Sequence, residues 1–148
     1  MATELPFPSD ALHGDQLRGD RGETFRILGK LGAGGMGSVW RAQDLSAGRE
    51  VALKACHADG AAQRRRFERE GQLAAALEHP GIVRVYSAGT IGVKPYLCYE
   101  LVEGARTLGE AFRELGRDER LRLLIEAAQA VGHAHRQGVV HRDIKPEN

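Results

Sequence analysis

At 148 residues, 42% hydrophobic and 28% charged, the chain is long enough for one ordinary domain with a real core. That composition excludes a fibrous or wholly disordered protein. A formal net charge of +1 leaves no electrostatic footprint for nucleic acid or an anionic membrane, and neither is an expected partner. Cys56 and Cys98 stand far apart, with neither disulfide-rich nor metal-type spacing, which points to a reducing, cytoplasmic setting. The opening residues lack the basic and apolar regions of a secretory signal. No apolar run in this stretch approaches the roughly 18 residues of a membrane helix, and an anchor beyond Asn148 stays open.

Residues 1–24 mix Pro6, Pro8, Gly14, Gly19 and Gly22 with charges and show no periodicity, as a flexible leader would. From Phe25, FRILGKL predicts a strand running into a glycine cluster, and SVWRAQD alternates after it. REVALKAC predicts a third strand, entered through the turn-like DLSAGR. AAQRRRFEREGQLAAAL has helical spacing, after which GIVRVYSAG and KPYLCYELV return to strand. TLGEAFRELG predicts a helix opened by Thr107 and Glu110 in capping-box register and closed at Gly116. DERLRLLIEAAQAVGHAHRQG predicts another, with Leu121, Leu124, Ile125, Ala128 and Val131 on one apolar face. The order describes an α+β chain: a sheet lobe over 25–103 and the start of a helical lobe over 104–148.

The run LGAGGMGSVW holds G-x-G-x-x-G at Gly32, Gly34 and Gly37. Glycine clusters mostly make turns, so neighbours decide its meaning. A dinucleotide fingerprint needs a helix directly after the glycines, and Ser38–Ala42 read as strand. A Walker A loop needs G-K-[ST], which is absent. What remains is a strand–loop–strand hairpin whose bare backbone can present N–H groups to a polyphosphate.

In VALKA, alternation places Ala52 and Lys54 on one face and Val51 and Leu53 on the other. In the following helix, Phe67, Glu70, Leu73, Ala74 and Leu77 fall three and four apart, which sets Glu70 on the apolar stripe. A buried carboxylate is costly unless a cation meets it, and Lys54 is the economical partner. Arg64, Arg65 and Glu68 point elsewhere, as a solvated face.

These elements in this order resemble the eukaryotic-type protein kinases, most closely their bacterial serine/threonine branch. LGAGGMGSVW, VALK, FERE, LEHPGIVRVY, CYELVEG and HRDIKPEN carry the resemblance, over about Phe25–Asn148. It implies a protein-kinase-like fold with a five-stranded antiparallel N-lobe holding one helix, followed by the truncated start of a helical C-lobe. It implies ATP and Mg2+ as cofactors and a serine or threonine hydroxyl of a protein as substrate. On the matching positions, Leu31, Gly32, Ala33, Gly34, Gly35, Met36, Gly37 and Ser38 would form the loop over the phosphates. Val39 and Ala52 would enclose the adenine, Tyr99 would stand behind it, and Glu100 and Val102 would offer it backbone hydrogen bonds. Lys54 would hold the α and β phosphates and pair with Glu70. Asp143 would accept the substrate proton, Lys145 would neutralise charge on the moving phosphoryl group, and Asn148 would bind magnesium. Arg142 would orient an activation loop.

The family also carries Asp-Phe-Gly, an activation segment and Ala-Pro-Glu, none of which occurs in these 148 residues. Residues 1–148 are therefore expected to lack turnover on their own, and the exposed α-helical face Leu121–Val131 to invite aggregation or a partner. The alternative reading is a truncated or degenerate kinase that binds nucleotide or a partner without catalysis. His133, His135 and His141 suggest a metal cluster, but residues two apart do not share a helix face. Cys56, Cys98 and Trp40 read as packed strand residues.

Overall fold

The computed structural model describes residues 11, 13–34, 37–56 and 60–147. Six strands and three helices follow in the order β1 (Gln16–Arg18), β2 (Thr24–Gly34), β3 (Gly37–Asp44), β4 (Arg49–Cys56), α1 (Ala61–Ala75), β5 (Val85–Ile91), β6 (Lys94–Glu100), α2 (Leu108–Glu114) and α3 (Arg117–Arg136). Two compact units result. The first holds the described residues up to Ala76 together with Arg84–Leu101; the second holds Leu77–Val83 and the described residues from Val102 on.

The first unit is one antiparallel sheet in the order β1-β2-β3-β4-β6-β5. The expected five strands are joined by a sixth, because Leu17 inside the leader-like stretch buries its side chain and pairs with Phe25. A bridge between Gly19 and Ile91 brings the two edges of the sheet together. Asp20 reinforces it: its amide donates to the Thr90 carbonyl at 2.9 Å, and its Oδ1 accepts from the Thr90 amide at 2.8 Å. Both edges lose part of the open backbone that would otherwise recruit another chain.

Alternation sorts the strands into two faces, as the pattern predicts. Trp40, Ala42, Val51, Leu53, Ala55, Tyr96 and Cys98 fill the interior with Phe25 and Ile27. Tyr96 meets Phe25 edge-on at 5.4 Å, and each fully buried aromatic or aliphatic side chain contributes roughly 1.5–3 kcal/mol. The opposite face packs under α1 through a smaller cluster of Cys56, Phe67 and Leu97 with Tyr99 beside it.

The buried line of α1 differs from the expected one. Phe67 and Gly71 face the sheet, whereas Glu70 and Leu73 are exposed. Gly71 is the reason: a Cβ there would overlap the Leu97 side chain, so the helix packs closest where it has no side chain. That rotates Glu70 off the contact line. Arg64, expected in solvent, is half-buried.

In the second unit, Thr107 caps α2 with the reciprocal bonds expected: its Oγ1 accepts from the Glu110 amide and Glu110 Oε2 accepts from the Thr107 amide. The Glu119 carboxylate likewise accepts from the Gly116 amide at the start of α3. The segment Leu77–Val83 lies on α3, with the Gly81 Cα so near Ala130 that an added Cβ would stand 3.1 Å from the Ala130 Cβ. His79 packs against His133 with ring centroids 5.1 Å apart. Leu121, Leu124, Ile125 and Ala128 stay exposed, so the apolar face predicted for α3 lacks cover among the described residues.

Candidate active site residues in the two units

The glycine hairpin lies between β2 and β3. Gly32 pairs with Val39, Ala33 with Ser38 and Gly34 with Gly37, while Gly35 and Met36 lie outside the described residues. Two register shifts between Ile27 and Gly32 mark β-bulges, which bend β2 as it enters the hairpin. The glycines are not equivalent. A Cβ on Gly37 would overlap the Ala55 carbonyl oxygen, whereas one on Gly32 would meet no atom of the described residues within 4 Å. Gly37 therefore lets β3 and β4 approach, whereas Gly32 stands clear of the other described residues. Leu31 is exposed and Ser38 is buried.

Register joins the remaining residues of this unit. Val39 stands opposite Lys54, Lys54 opposite Leu97, and Ala52 opposite Tyr99. Directly paired residues share a face, so Val39, Ala52, Lys54 and Tyr99 project to the same side of the sheet, all half-buried. Burial pushes the Tyr99 phenol above its ordinary range, and the nearby Glu70 carboxylate adds to the shift. The Glu100 amide donates to the Arg84 carbonyl at 2.8 Å.

Glu70 is not paired with Lys54 as expected. Its Oε1 accepts from Arg66 Nε at 2.9 Å, one turn earlier on α1, and its side chain is 46% exposed. The Lys54 ammonium lies 5.9 Å from the Phe67 ring centroid instead. The signal for Arg66 as a rival partner lies in the spacing, since it precedes Glu70 by four residues.

In the second unit, the segment after α3 carries His141, Arg142, Asp143 and Lys145. Arg142 adopts φ 64°, a left-handed conformation that a non-glycine residue holds only when its surroundings require it. The turn lets the Asp143 amide donate to His141 Nδ1 at 3.3 Å. Lys145 Nζ stands 3.5 Å from Asp143 Oδ2, with both side chains largely in solvent. The segment is anchored to α2 by the Gly109 amide donating to the Pro146 carbonyl at 2.6 Å. Val102 is exposed, and Asn148 lies outside the described residues. Among the described residues no three or more His, Cys, Asp or Glu side chains group as a metal site. None of the described helices is long and apolar enough to cross a membrane.

Residues 25–148 match the model of the protein kinase domain. A probable serine/threonine-protein kinase of Streptomyces coelicolor is 43% identical over 136 residues, covering 86% of this chain and 20% of that protein. The serine/threonine-protein kinase PrkC of Bacillus subtilis is 42% identical over 130 residues, covering 84% of this chain and again 20% of the relative. The chain thus spans about a fifth of these curated relatives. The crystal structure of the Mycobacterium tuberculosis PknI kinase domain superposes with a TM-score of 0.75 at 29% identity, over 94% of this chain and 57% of that one.

Proposed function

The chain belongs to the protein kinase family, in its serine/threonine branch, and we propose that it supplies the nucleotide-binding and catalytic-loop residues of an enzyme moving the γ-phosphoryl group of ATP to a protein serine or threonine hydroxyl. The observation that carries this reading is the shared sheet face of Val39, Ala52 and Lys54, set beside a hairpin whose Gly32 stands clear of the other described residues.

On that face the apolar Val39 and Ala52 suit the flat adenine ring, and the Lys54 ammonium suits the phosphates. Phosphoryl transfer asks a protein mainly for positioning and charge neutralisation. Asp143 accepts the substrate hydroxyl proton, and its contact with Lys145 keeps the ammonium beside the oxygen that would receive the phosphoryl group. Magnesium would neutralise phosphate charge when bound, held through Asn148. A cytoplasmic location belongs to the same proposal, carried by the wide spacing of Cys56 and Cys98, which is not that of a disulfide-rich secreted chain.

Residues 1–148 alone fit a second, narrower reading: nucleotide binding without turnover. The engagement of Glu70 by Arg66 favours it. The test of the enzymatic proposal is Asp143→Asn in the protein that carries this chain. Transfer from radiolabelled ATP to protein should fall about 10²- to 10⁴-fold with nucleotide binding kept. Unchanged transfer would refute the role.

A further inference from the structure

α1 carries its charges where the rules of an isolated helix disfavour them. The macrodipole favours acidic residues in the first turn and basic ones in the last, and α1 has neither. Its N-cap is Gly60, without a side-chain hydrogen bond to the first turn. Arg64, Arg65, Arg66 and Arg69 crowd its early and middle turns instead. Arg65 and Arg69 stand four residues apart, a like-charge spacing that weakens a helix. Local choices that work against the element they build mark a surface shaped by something other than stability.

Phe67 and Gly71 lie against the sheet and so fix which side of α1 looks outward. That side is the stripe Ala62, Arg65, Arg69, Leu73 and Ala76, all exposed, with Leu73 at 40%. Arg66 borders the stripe but is engaged by Glu70. Arg65 and Arg69 form no ion pair among the described residues, and Glu68 and Glu70 fall on the flanks of the stripe rather than along it. The positive charge is local, since the whole chain carries a net charge of only +1, and a local patch does not suit the long anionic track of a nucleic acid. Residues four apart on a helix are about 6 Å apart along its axis, and residues two apart in an extended chain are about 6.6 Å apart. Alternate side chains of an extended segment therefore match Arg65, Arg69 and Leu73 in turn. We propose that this stripe of α1 is the docking surface for an acidic, extended segment of a partner protein, with carboxylates on Arg65 and Arg69 and an apolar side chain on Leu73. Each guanidinium can hold a carboxylate by two parallel hydrogen bonds. This goes beyond phosphotransfer and rests on α1 alone, so it stands or falls separately from the catalytic reading.

The probe is the capped peptide Leu-Ser-Glu-Ser-Glu-Ser-Leu, which offers the same pattern in either chain direction. Titrated into the isotope-labelled chain at low salt, it should give saturable amide shifts confined to α1 and its flanks, with a Kd of about 1 mM or tighter. Arg65→Glu combined with Arg69→Glu changes exposed side chains only and should weaken binding about tenfold or more, with the helical circular dichroism kept. Arg117→Glu combined with Arg122→Glu makes the same change of net charge at exposed positions of α3 and should leave binding unchanged. Four results would each overturn the proposal: no saturable shift in the folded chain, binding indifferent to the Arg65 and Arg69 reversal, an equal loss in the α3 control, or tighter binding of a DNA duplex through the same two arginines, which would make nucleic acid the occupant.

Discussion

Glu70 takes its hydrogen bond from Arg66 on the same helix, at 2.9 Å, while Lys54 on the facing sheet lies over the Phe67 ring. The carboxylate that would steady Lys54 is therefore held by a competitor. The competitor is weak, since both side chains are largely in solvent and an exposed i,i+4 pair is worth only about 0.3–0.5 kcal/mol. Arg66→Ala should leave thermal stability almost unchanged and tighten ATP binding by about twofold, the factor that such an energy permits. Calorimetric titration of wild type and variant checks this. Weaker binding in Arg66→Ala would mean that Arg66 itself serves the nucleotide.

The glycines of the hairpin should separate under mutation. Gly37→Ala forces a methyl group onto the Ala55 carbonyl and should cost about 1–3 kcal/mol of stability by denaturant unfolding. Gly32→Ala meets no neighbour among the described residues, so the fold should hold within about 0.5 kcal/mol. Its methyl group would instead enter the space offered to phosphates and weaken ATP binding. Equal stability losses in the two variants would contradict this division.

Gly71→Val should lower stability by about 1–3 kcal/mol, because α1 cannot keep its contact with Leu97 once a side chain stands between them. Loss of α1 packing should appear as increased exposure of Phe67, measured by hydrogen exchange across residues 61–75. A variant as stable as the wild type would show that α1 is free to shift on the sheet.

Cys98 should resist alkylation. Its thiol is buried and is pushed up to about 11, chiefly by desolvation, so little thiolate exists at pH 8. Iodoacetamide at that pH should modify Cys98 only after unfolding, as read by mass spectrometry. Rapid native labelling at Cys98 would place the residue nearer the surface.

The α2 cap should be acid-sensitive. Its hydrogen bonds from the Thr107 backbone and side chain hold the Glu110 carboxyl below the usual range. A depressed folded value means that the stabilisation is complete above the unfolded carboxylate value of about 4.3 and is lost as pH falls through the folded one. Thr107→Ala should cost about 1 kcal/mol at pH 7 and a smaller amount in strong acid. A pH-independent cost, from urea unfolding at both pH values, would argue against the reciprocal cap.

Much of this was legible in the residues because local rules and tertiary structure agree. Alternation placed Val51 and Leu53 inside and Ala52 and Lys54 on the opposite face, and the Thr107–Glu110 register marked α2. Legibility failed where one small residue overrides periodicity. Counting apolar positions on α1 favoured Leu73, while the contact line follows Gly71, whose value lies in having no side chain to clash with Leu97. The same rotation turns Glu70 away from the sheet, and Arg66, one turn earlier, takes its carboxylate. β1 escaped notice because a three-residue strand is too short for periodicity, and its Leu17 is buried only through pairing with β2. Leu77, Ala130 and Ile144 line one cavity of the second unit that has no linear trace, because residues so far apart in sequence surround it only in the folded chain.

A nucleotide site built from Lys54 and the glycine hairpin should function within these 148 residues. Isothermal titration of residues 1–148 with ATP, beside Lys54→Met, tests it most directly. The wild type should bind saturably and the variant should lose about tenfold or more, the expected cost of removing a charged hydrogen-bond donor from a phosphate. No binding by folded wild type, or equal binding by Lys54→Met, would contradict it.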